Sequence, residues 1–294
     1  MNIIQVNNLT KHYGTLTAVD HISFQVEQGT MLGFLGINGA GKSTAINMLS
    51  TLLHPDEGSA TVCGHILGRE DQQIRRKIGI VYQQNVLDEL LTVRENLMCR
   101  GLLHGITRTQ ARAQLDKLTN LLKLEDILKK RYQLLSGGQK RRCEIAAALM
   151  HTPQILFLDE PTTGLDPATR KDVWEIIETL RRDEQMTVFL TTHYMEEAAN
   201  ADRIIILDKG RIIDEGTPYE LKDRHARDKL RLYCDTPLPI AGQVTPFGME
   251  VPLMHTLDAL AIVEQFKDQI QGFEVIQGNM DDVFLNAVGQ GLEE

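Results

Sequence analysis

The distribution of apolar and polar residues predicts a chain that alternates between strands and helices. Residues 1–9 alternate with a period of two, the pattern of a half-buried strand. Continuous apolar runs at residues 31–35, 78–82, 155–158 and 187–190 have the length of strands buried on both faces of a parallel sheet. A further strand is expected at residues 21–26, and a hairpin at 203–214 turns at Lys209-Gly210. The pattern predicts an α/β fold.

Segments whose apolar residues recur at helical spacing lie between these strands. Thr92 and Glu95 have the spacing of a capping box, Pro55 marks a helix end, and Asp166-Pro167 marks a helix start. The predicted apolar faces consist of Ala45, Ile46, Met48, Leu49, Leu52 and Leu53 in an early helix, Leu115, Leu118 and Leu122 in a middle one, and Val173, Ile176, Ile177 and Leu180 in a later one.

A glycine-rich segment joins the run at residues 31–35 to the early helix. It fits the pattern G-x-x-x-x-G-K-[ST] and consists of Gly36, Ile37, Asn38, Gly39, Ala40, Gly41, Lys42, Ser43 and Thr44. Glycines let backbone N–H groups turn towards phosphate oxygens, and the helix start adds a partial positive charge. Lys42 would reach the β- and γ-phosphates of ATP, and Ser43 would hold Mg²⁺.

Two carboxylates, Asp159 and Glu160, end the run at residues 155–158. Ligands of open α/β sheets bind beyond the carboxyl ends of the strands. Asp159 suits the Mg²⁺ role, directly or through water, and Glu160 is placed to orient or deprotonate the attacking water. An acidic pair can also simply end a strand, but beside the glycine-rich segment we interpret this pair as catalytic.

A second glycine-rich segment opens another helix and consists of Leu135, Ser136, Gly137, Gly138 and Gln139. Ser136 is a good N-cap, and the glycines leave first-turn amides free for an anion. Because one chain does not readily wrap both segments around one nucleotide, the pair predicts a dimer. The basic residues Lys140, Arg141 and Arg142 that follow are predicted to form a solvated face or to contact an acidic partner.

Together these motifs resemble the nucleotide-binding subunit of an ABC transporter over about residues 1–220. The resemblance implies a P-loop NTPase core of the ABC ATPase type, with a mixed sheet and a helical subdomain. It implies a Walker A loop at residues 36–44, a Walker B strand at 155–160 with Glu160 as the catalytic glutamate, and a signature at 135–139. In the family, the signature closes on the γ-phosphate of ATP held by the opposite subunit, so composite sites form in a head-to-tail homodimer.

The same resemblance assigns four further positions. His193 matches the histidine that contacts the γ-phosphate, and Gly164 stands in the D-loop where the family often has Ala or Ser. Tyr13 stands where an aromatic stacks on adenine, worth roughly 1–3 kcal/mol; an ordinary half-buried tyrosine is the alternative. The glutamine that senses Mg²⁺ and the membrane partner is Gln83 or Gln84, and we choose Gln83 because it directly follows the run at residues 78–82.

Composition agrees with an ATPase that is separate from its membrane partner. The chain has 40 acidic and 31 basic residues, and its formal net charge of −9 argues against a general nucleic-acid binder. Four cysteines lie far apart without C-x-x-C spacing and are predicted to be reduced thiols. No apolar run approaches the roughly 18 residues of a spanning helix, and residues 1–9 do not resemble a signal peptide. A transport role therefore requires a separate membrane subunit.

We predict an ABC ATPase domain over residues 1–224, with its helical subdomain at about 84–150, and a small C-terminal α/β domain over residues 225–294. The C-terminal part carries none of the ATPase motifs. Strands are expected at residues 231–234 and 273–276, and a terminal helix around 281–285. A helix after Thr256 is expected to bury Leu260, Val263, Phe266 and Ile270. This part either pairs with its twin or regulates the dimer, or it is a stabilising appendage.

The end of the chain resembles the C-terminal extension of ABC-2 type exporter ATPases, especially multidrug-like ones, and residues 192–198 point the same way. The resemblance implies an ATPase at the cytoplasmic face of the inner or plasma membrane, bound to a separate ABC-2 type permease and to no nucleic acid. An exposed stretch at residues 87–91 is the expected permease contact. The alternative is a cytosolic ABC-family ATPase of translation or DNA repair, although the former usually carries two cassettes and the latter a long coiled coil or zinc hook.

Overall fold

The computed structural model describes residues 1–290. The strands are, in chain order, β1 Asn2–Tyr13, β2 Leu16–Glu27, β3 Met31–Leu35, β4 Glu57–Val62, β5 His65–Ile66, β6 Ile78–Val81, β7 Ile155–Asp159, β8 Thr187–Thr192, β9 Arg203–Asp208, β10 Arg211–Gly216, β11 Lys229–Tyr233, β12 Gln243–Thr245, β13 Gly248–Pro252 and β14 Gly272–Ile276. The helices are α1 Lys42–Leu49, α2 Asp71–Arg75, α3 Val93–Leu103, α4 Arg108–Leu121, α5 Gly137–Leu149, α6 Pro167–Glu184, α7 Met195–Ala198, α8 Pro218–His225, α9 Asp258–Phe266 and α10 Met280–Gln290. Within these residues, no helix combines the length and apolar composition needed to span a bilayer.

The central sheet has the strand order β10-β9-β3-β8-β7-β6. Its strands are parallel except β10, which is antiparallel to β9. Every residue of β3 and β8 is buried, as expected for strands covered on both faces. The predicted α/β class with a mixed sheet is confirmed. Because β3, β8 and β7 are parallel neighbours, their carboxyl ends share one edge of the sheet.

The two faces of the central sheet contact different cores. On one face, the rings of Phe34 and Phe157 each lie 5.3 Å from that of Phe189, in a core shared with α1 and the antiparallel sheet β2-β1-β4-β5. On the other face, Met31 and Leu35 join the core of the helices. Burying a large apolar side chain is worth about 1.5–3 kcal/mol, so the alternation along β3 fixes its orientation.

Helix α1 is shorter than its apolar pattern predicts. It ends at Leu49 with Ser50 as C-cap, because Thr51 has a left-handed backbone with φ of 68° that a right-handed helix cannot contain. Leu52, predicted on the apolar face, is 57% exposed as a result.

Helices α3, α4 and α5 lie in the region predicted to be helical. Each begins with a capping box, at Thr92, Thr107 and Ser136, and an N-cap of this kind stabilises a helix by about 1 kcal/mol. Helix α6 starts after the N-cap Asp166, as predicted. The hairpin of β9 and β10 also turns where expected.

The C-terminal part of the chain forms an antiparallel sheet in the order β12-β13-β11-β14. Strands β12 and β13 were not predicted, because they are short and Gly248 at the start of β13 is typical of a turn. Helix α9 contributes Ala259 and Phe266 to a separate small core. Two residues of the predicted buried face do not fit it: Leu260 is 65% exposed, and Ile270 lies beyond the end of the helix.

The terminal helix α10 lies where the sequence predicts it, but it packs on the large core rather than on the accessory sheet. Val283, Phe284 and Ala287 are buried there with Ala198 of α7 and Leu221 of α8. An apolar helix face does not itself specify which of two apolar surfaces it covers. The domain boundary at residue 225 stays a prediction, and we call β11–β14 together with α9 the accessory unit.

Candidate active site

The glycine-rich segment lies between the end of β3 and the start of α1. Ile37, Asn38 and Gly39 are exposed, and Gly41 has φ of 106°. A Cβ at Gly41 would lie 2.3 Å from the carbonyl oxygen of Ala18, so glycine is required at this turn. The result is an exposed loop at a helix N-terminus, where the helix dipole favours an anion.

Lys42, the first residue of α1, is 4% exposed. Its Nζ donates to the carbonyl oxygens of Gly36 at 2.7 Å and Ile37 at 3.1 Å. Burial lowers the pKa of Lys42, and the negative charges of Glu160 and Asp159 oppose that shift. The loop carbonyls thus hold the Lys42 ammonium group, and the two carboxylates favour its charged form.

The remaining loop residues complete this arrangement. Ala40 is buried, and its carbonyl accepts a hydrogen bond from the N–H of Gly210 at 3.0 Å. Ser43 is exposed in the first turn of α1, next to half-buried Thr44. The base of the loop is therefore fixed to the β9–β10 turn, and the Ser43 side chain is accessible.

Asp159 brings a carboxylate beside Ser43 from the end of β7. Ser43 Oγ donates to Asp159 Oδ1 at 3.3 Å, and Thr191 Oγ1 of the neighbouring β8 donates to the same oxygen at 2.6 Å. A hydroxyl and a carboxylate oxygen next to a phosphate-binding loop suit Mg²⁺, which is usually held by one or two protein ligands plus phosphates. The residues present fit this ion.

Glu160 directly follows β7 in a left-handed backbone, with φ of 46°. This conformation costs an L-residue about 1–2 kcal/mol, and the Glu160 N–H is held by the carbonyl oxygen of Thr191 at 3.0 Å. Its Oε2 accepts hydrogen bonds from Gln83 Nε2 at 2.8 Å and from Thr163 Oγ1 at 3.2 Å. Groups from two separate loops therefore orient this carboxylate.

Gln83, rather than Gln84, is the glutamine that contacts Glu160. His193 also lies near this carboxylate, with Nδ1 3.2 Å from Glu160 Oε2, although the two atoms are not aligned as a hydrogen bond. The His193 ring contacts the ring of Tyr194, with centroids 4.2 Å apart. His193 is thus next to the carboxylate without being locked to it.

Residues 135–139 form an accessible helix start. Ser136 Oγ accepts from the N–H of Gln139 at 3.4 Å, Gln139 Oε1 accepts from the N–H of Ser136 at 3.1 Å, and Ser136 and Gly137 are exposed. Over the described residues 1–290, no hydrogen bond connects this segment to residues 36–44.

Gly138 has a packing role of its own. A Cβ at this position would lie 2.4 Å from Thr169 Cγ2 in the first turn of α6. Thr169 is fixed in turn, because its N–H donates to Asp166 Oδ1 at 3.0 Å. The starts of α5 and α6 therefore lie directly against each other.

Tyr13 is at the end of β1, opposite Leu16 of β2. Its side chain is 50% exposed, and Lys11 Nζ lies 6.0 Å from its ring centroid. This exposure meets the requirement for stacking on a base.

Arg141 corrects the prediction that residues 140–142 form a solvated face. It is 5% exposed and donates to the carbonyl oxygens of Tyr82, Glu160 and Pro161. Burial lowers the pKa of Arg141 to about 10, so the guanidinium is charged at neutral pH. The apolar residues that follow Arg141 in α5 indicate that one side of this helix is buried. They do not show which of the three basic residues lies on that side.

Glu144 is a buried carboxylate that the sequence did not single out. It is 3% exposed, and its Oε1 accepts from the N–H groups of Val86 at 2.9 Å and Leu87 at 3.2 Å and from the Tyr132 hydroxyl at 2.7 Å. The stretch expected to be exposed at residues 87–91 is corrected in part, because Leu87 is 6% exposed whereas Leu90 is 70% exposed.

Glu197 of α7 was also missed. It is 4% exposed and accepts from the hydroxyls of Thr162 and Thr192, the latter at 2.7 Å. Thr192 Oγ1 accepts in turn from the N–H of Tyr194 at 2.9 Å. Glu197 therefore connects the turn after Glu160 to the segment that carries His193.

Comparison with known proteins agrees with this geometry. The family described as "ABC transporter" matches residues 19–163. The chain is 38% identical to the daunorubicin/doxorubicin resistance ATP-binding protein DrrA of Streptomyces peucetius, over 99% of this chain and 94% of that protein. It is 42% identical to the linearmycin resistance ATP-binding protein LnrL of Bacillus subtilis, over 99% of this chain and 100% of that protein. It is 39% identical to the Nod factor export ATP-binding protein I of Mesorhizobium japonicum, over 97% of this chain and 86% of that protein.

Solved structures agree as well. A dimeric ATP-binding cassette in a post-hydrolysis state with ADP and Pi is 29% identical, with a TM-score of 0.68 over 73% of this chain and 98% of that one. The cbiO1 subunit from Clostridium perfringens is 27% identical, with a TM-score of 0.69 over 75% of this chain and 90% of that one. Taken with the loop, the carboxylate pair and the glutamine beside it, these similarities establish that the chain belongs to the ABC transporter family, as an ATP-binding subunit with ATPase activity.

Proposed function

We propose that this chain hydrolyses ATP to power an ABC-2 type membrane exporter. The observation that carries the proposal is the convergence of Gln83 and Thr163 on the Glu160 carboxylate, next to the Asp159–Ser43 pair. Of the three relatives described above, two are named for drug resistance and one for Nod factor export. Removal of a compound from the cell is the function that best fits these names.

ATP would place its phosphates in the loop at residues 36–44 and its adenine on Tyr13. Lys42 would exchange the carbonyl oxygens that it now contacts for the β- and γ-phosphates. Ser43 and Asp159 would hold Mg²⁺, with Gln83 beside it. When bound, this ion supplies positive charge to the phosphate oxygens.

Glu160 is the proposed general base. It would accept a proton from water as the water oxygen bonds to the γ-phosphorus and the bond to the β–γ bridging oxygen breaks, which yields ADP and phosphate. His193 would contact the γ-phosphate, and Gln83 would keep the Glu160 carboxylate oriented. The site would work by positioning and charge stabilisation rather than by covalent chemistry.

The second half of each site would come from another copy of the chain. Ser136, Gly137, Gly138 and Gln139 would close on the γ-phosphate bound by the partner, in a head-to-tail homodimer with two composite sites. The accessibility of Ser136 and Gly137 and the similarity to a dimeric cassette support this arrangement.

A separate ABC-2 type permease would hold the chain at the cytoplasmic face of the membrane. Leu90 is exposed and follows Gln83 by seven positions in the chain, and it is the proposed contact. We call residues 82–87, which contain Gln83, the glutamine segment. A cytosolic role in translation or DNA repair is disfavoured by the export and resistance names of the relatives, and no nucleic-acid partner is proposed.

The test is purification of the tagged full-length chain from native membranes in mild detergent. We expect a membrane protein with about six predicted spans to co-purify with the chain in equal molar amount. The complex should hydrolyse ATP. Less of the membrane protein should co-purify with the Leu90→Glu variant. Association with ribosomes or DNA in place of a membrane protein would support the alternative.

A further inference from the structure

Two buried charged residues of α5 contact the machinery described above without belonging to the phosphate loop. Arg141 and Glu144 are three positions apart, so they lie on the same side of the helix. They are 5% and 3% exposed. Buried charges are retained where hydrogen bonds compensate them, and both residues have several.

The two residues fix the glutamine segment at both ends. Arg141 Nη1 donates to the carbonyl oxygen of Tyr82 at 2.5 Å, one residue before Gln83. Glu144 Oε1 accepts from the N–H groups of Val86 and Leu87 at 2.9 and 3.2 Å. Residues 82–87 are therefore attached to one helix on either side of Gln83.

The same guanidinium also holds the turn that carries the proposed base. Arg141 Nη2 donates to the carbonyl oxygen of Glu160 at 3.2 Å, and Nε donates to that of Pro161. Within residues 1–290, Arg141 has no carboxylate at ion-pair distance. Its donors are directed at backbone carbonyls of two loops, a task that suits the planar fork of arginine and not a single ammonium group.

We propose that Arg141 is a positioning residue for ATP hydrolysis: by holding the carbonyls of Tyr82, Glu160 and Pro161 it fixes Gln83 against Glu160. With Glu144, it makes both loops move with the helix that starts at Ser136. This inference rests on the proposed role of Glu160 as the base. Arg141 itself touches neither nucleotide nor water in this scheme.

The first experiment compares Arg141→Met with Arg142→Met in the full-length chain. Arg142 is the matched control, because it donates to the carbonyls of Leu122 and Lys123 in the helical region at 3.3 and 3.2 Å. Misplacing catalytic groups by about 1 Å can lower a rate by about 100-fold. We expect kcat of Arg141→Met to fall about 10- to 100-fold while its Kd for ATP stays within about threefold. For Arg142→Met, both constants should stay within about threefold.

A second variant covers the case in which Arg141→Met does not fold. Arg141→Lys keeps the charge but replaces the planar fork, whose separate nitrogens reach the two loops, with a single nitrogen, so kcat should still fall. In the Gln83→Ala background, where one of the two positioned groups is already lost, either Arg141 substitution should cost less than it does alone. Hydrogen exchange supplies a readout that needs no activity: amides of residues 83–91 should exchange faster in the Arg141 variants and in Glu144→Gln, but not in Arg142→Met.

The outcomes separate this inference from the proposed function. A folded Arg141→Lys protein with parental kcat would overturn it, as would an equal loss of kcat in Arg141→Met and Arg142→Met, or full additivity with Gln83→Ala. If Glu160→Gln keeps parental activity, the proposed base is wrong, and hydrogen exchange still tests whether Arg141 holds the glutamine segment.

Discussion

The two glycine-rich segments share one local design and differ in what surrounds them. Each opens a helix and exposes part of its glycine turn. In the first, Lys42 is buried, and the negative charges of Glu160 and Asp159 favour its charged form. In the second, half-buried Lys140 has its Nζ 5.3 Å from the ring centroid of Tyr132.

A helix start with glycines is therefore a complete anion site only when other groups supply the charge and the ligands around it. In the proposed scheme, the first segment has its cation, its Mg²⁺ ligands and its base within one chain. The second would present amides and a serine to a nucleotide bound by another copy of the chain.

Glu160→Gln should separate chemistry from binding at the first segment. The substitution keeps size and hydrogen bonding but removes the base, so ATP hydrolysis should fall by the 10²–10⁴-fold typical of general-base loss, and an ATP-bound dimer should accumulate. Steady-state ATPase assays and size-exclusion chromatography with ATP measure both effects. Glu196→Gln, an exposed carboxylate on α7, is the control; parental hydrolysis by Glu160→Gln would refute the assignment.

Mixing two inactive variants should show whether the segments act across chains. Lys42→Ala should abolish turnover by removing the phosphate-binding cation, and Ser136→Arg should block the opposite segment. In an equal mixture, heterodimers carry both lesions in one site and leave the other intact, so about a quarter of parental activity should return. The control is either variant mixed with itself. Failure of the Glu160→Gln variant to dimerise with ATP would count more heavily against the model than a failed recovery, since the two sites can depend on each other.

Removing the accessory unit should leave both segments working. Gly278 N donates to Asp228 Oδ1 at 3.1 Å, so the chain ends that flank the unit lie together and residues 229–276 can be excised with α10 kept. ATP affinity of this variant should stay within about threefold of that of the full chain.

Truncation after Leu221 also removes α10 and with it Val283 and Phe284 from the large core, which should cost at least about 3 kcal/mol of unfolding free energy. Denaturation midpoints compare the two; loss of nucleotide binding in the folded excision variant would place part of the site in the accessory unit.

The folding stability of the chain should decrease in acid because of His151. His151 follows α5, and burial lowers its pKa to about 4, whereas an unfolded histidine titrates near 6.5. Below pH 6.5 the unfolded chain therefore binds a proton that the folded chain excludes, and stability falls as the pH decreases. Between pH 7 and 4.5 this residue should account for roughly 2–3 kcal/mol of lost stability. His151→Gln should show a smaller acid loss in urea titrations; an identical pH profile would contradict the assignment.

The sequence predicted the parts of this molecule whose signals are local. The loop before α1, the carboxylates after β7 and the capping box at Thr92 each depend on a few adjacent residues, and the structure places them as expected. Arg141 was misjudged because its partners, such as the carbonyls of Tyr82 and Pro161, are distant in sequence.

The same limit explains the other departures. The sequence of α10 shows an apolar face but not which surface it meets, and Leu87 looks as exposed as Leu90 until Glu144 is known to hold the backbone beside it. Every residue has the same main-chain carbonyl, and every residue except proline has the same N–H group. A residue pattern therefore does not indicate which of these groups a buried charge will bond.

The contact between Gly138 and Thr169 has a consequence for how this surface can vary. A side chain at position 138 is blocked by a threonine methyl of the same chain before any ligand is considered. An alanine there would displace the side chain of Thr169, whose hydroxyl donates to Asp166 Oδ2 at 2.6 Å. The substitution would therefore disturb the start of α6 as well as the helix start that is proposed to meet a γ-phosphate. Position 138 is therefore constrained by packing within one chain as well as by the proposed contact with the partner's nucleotide.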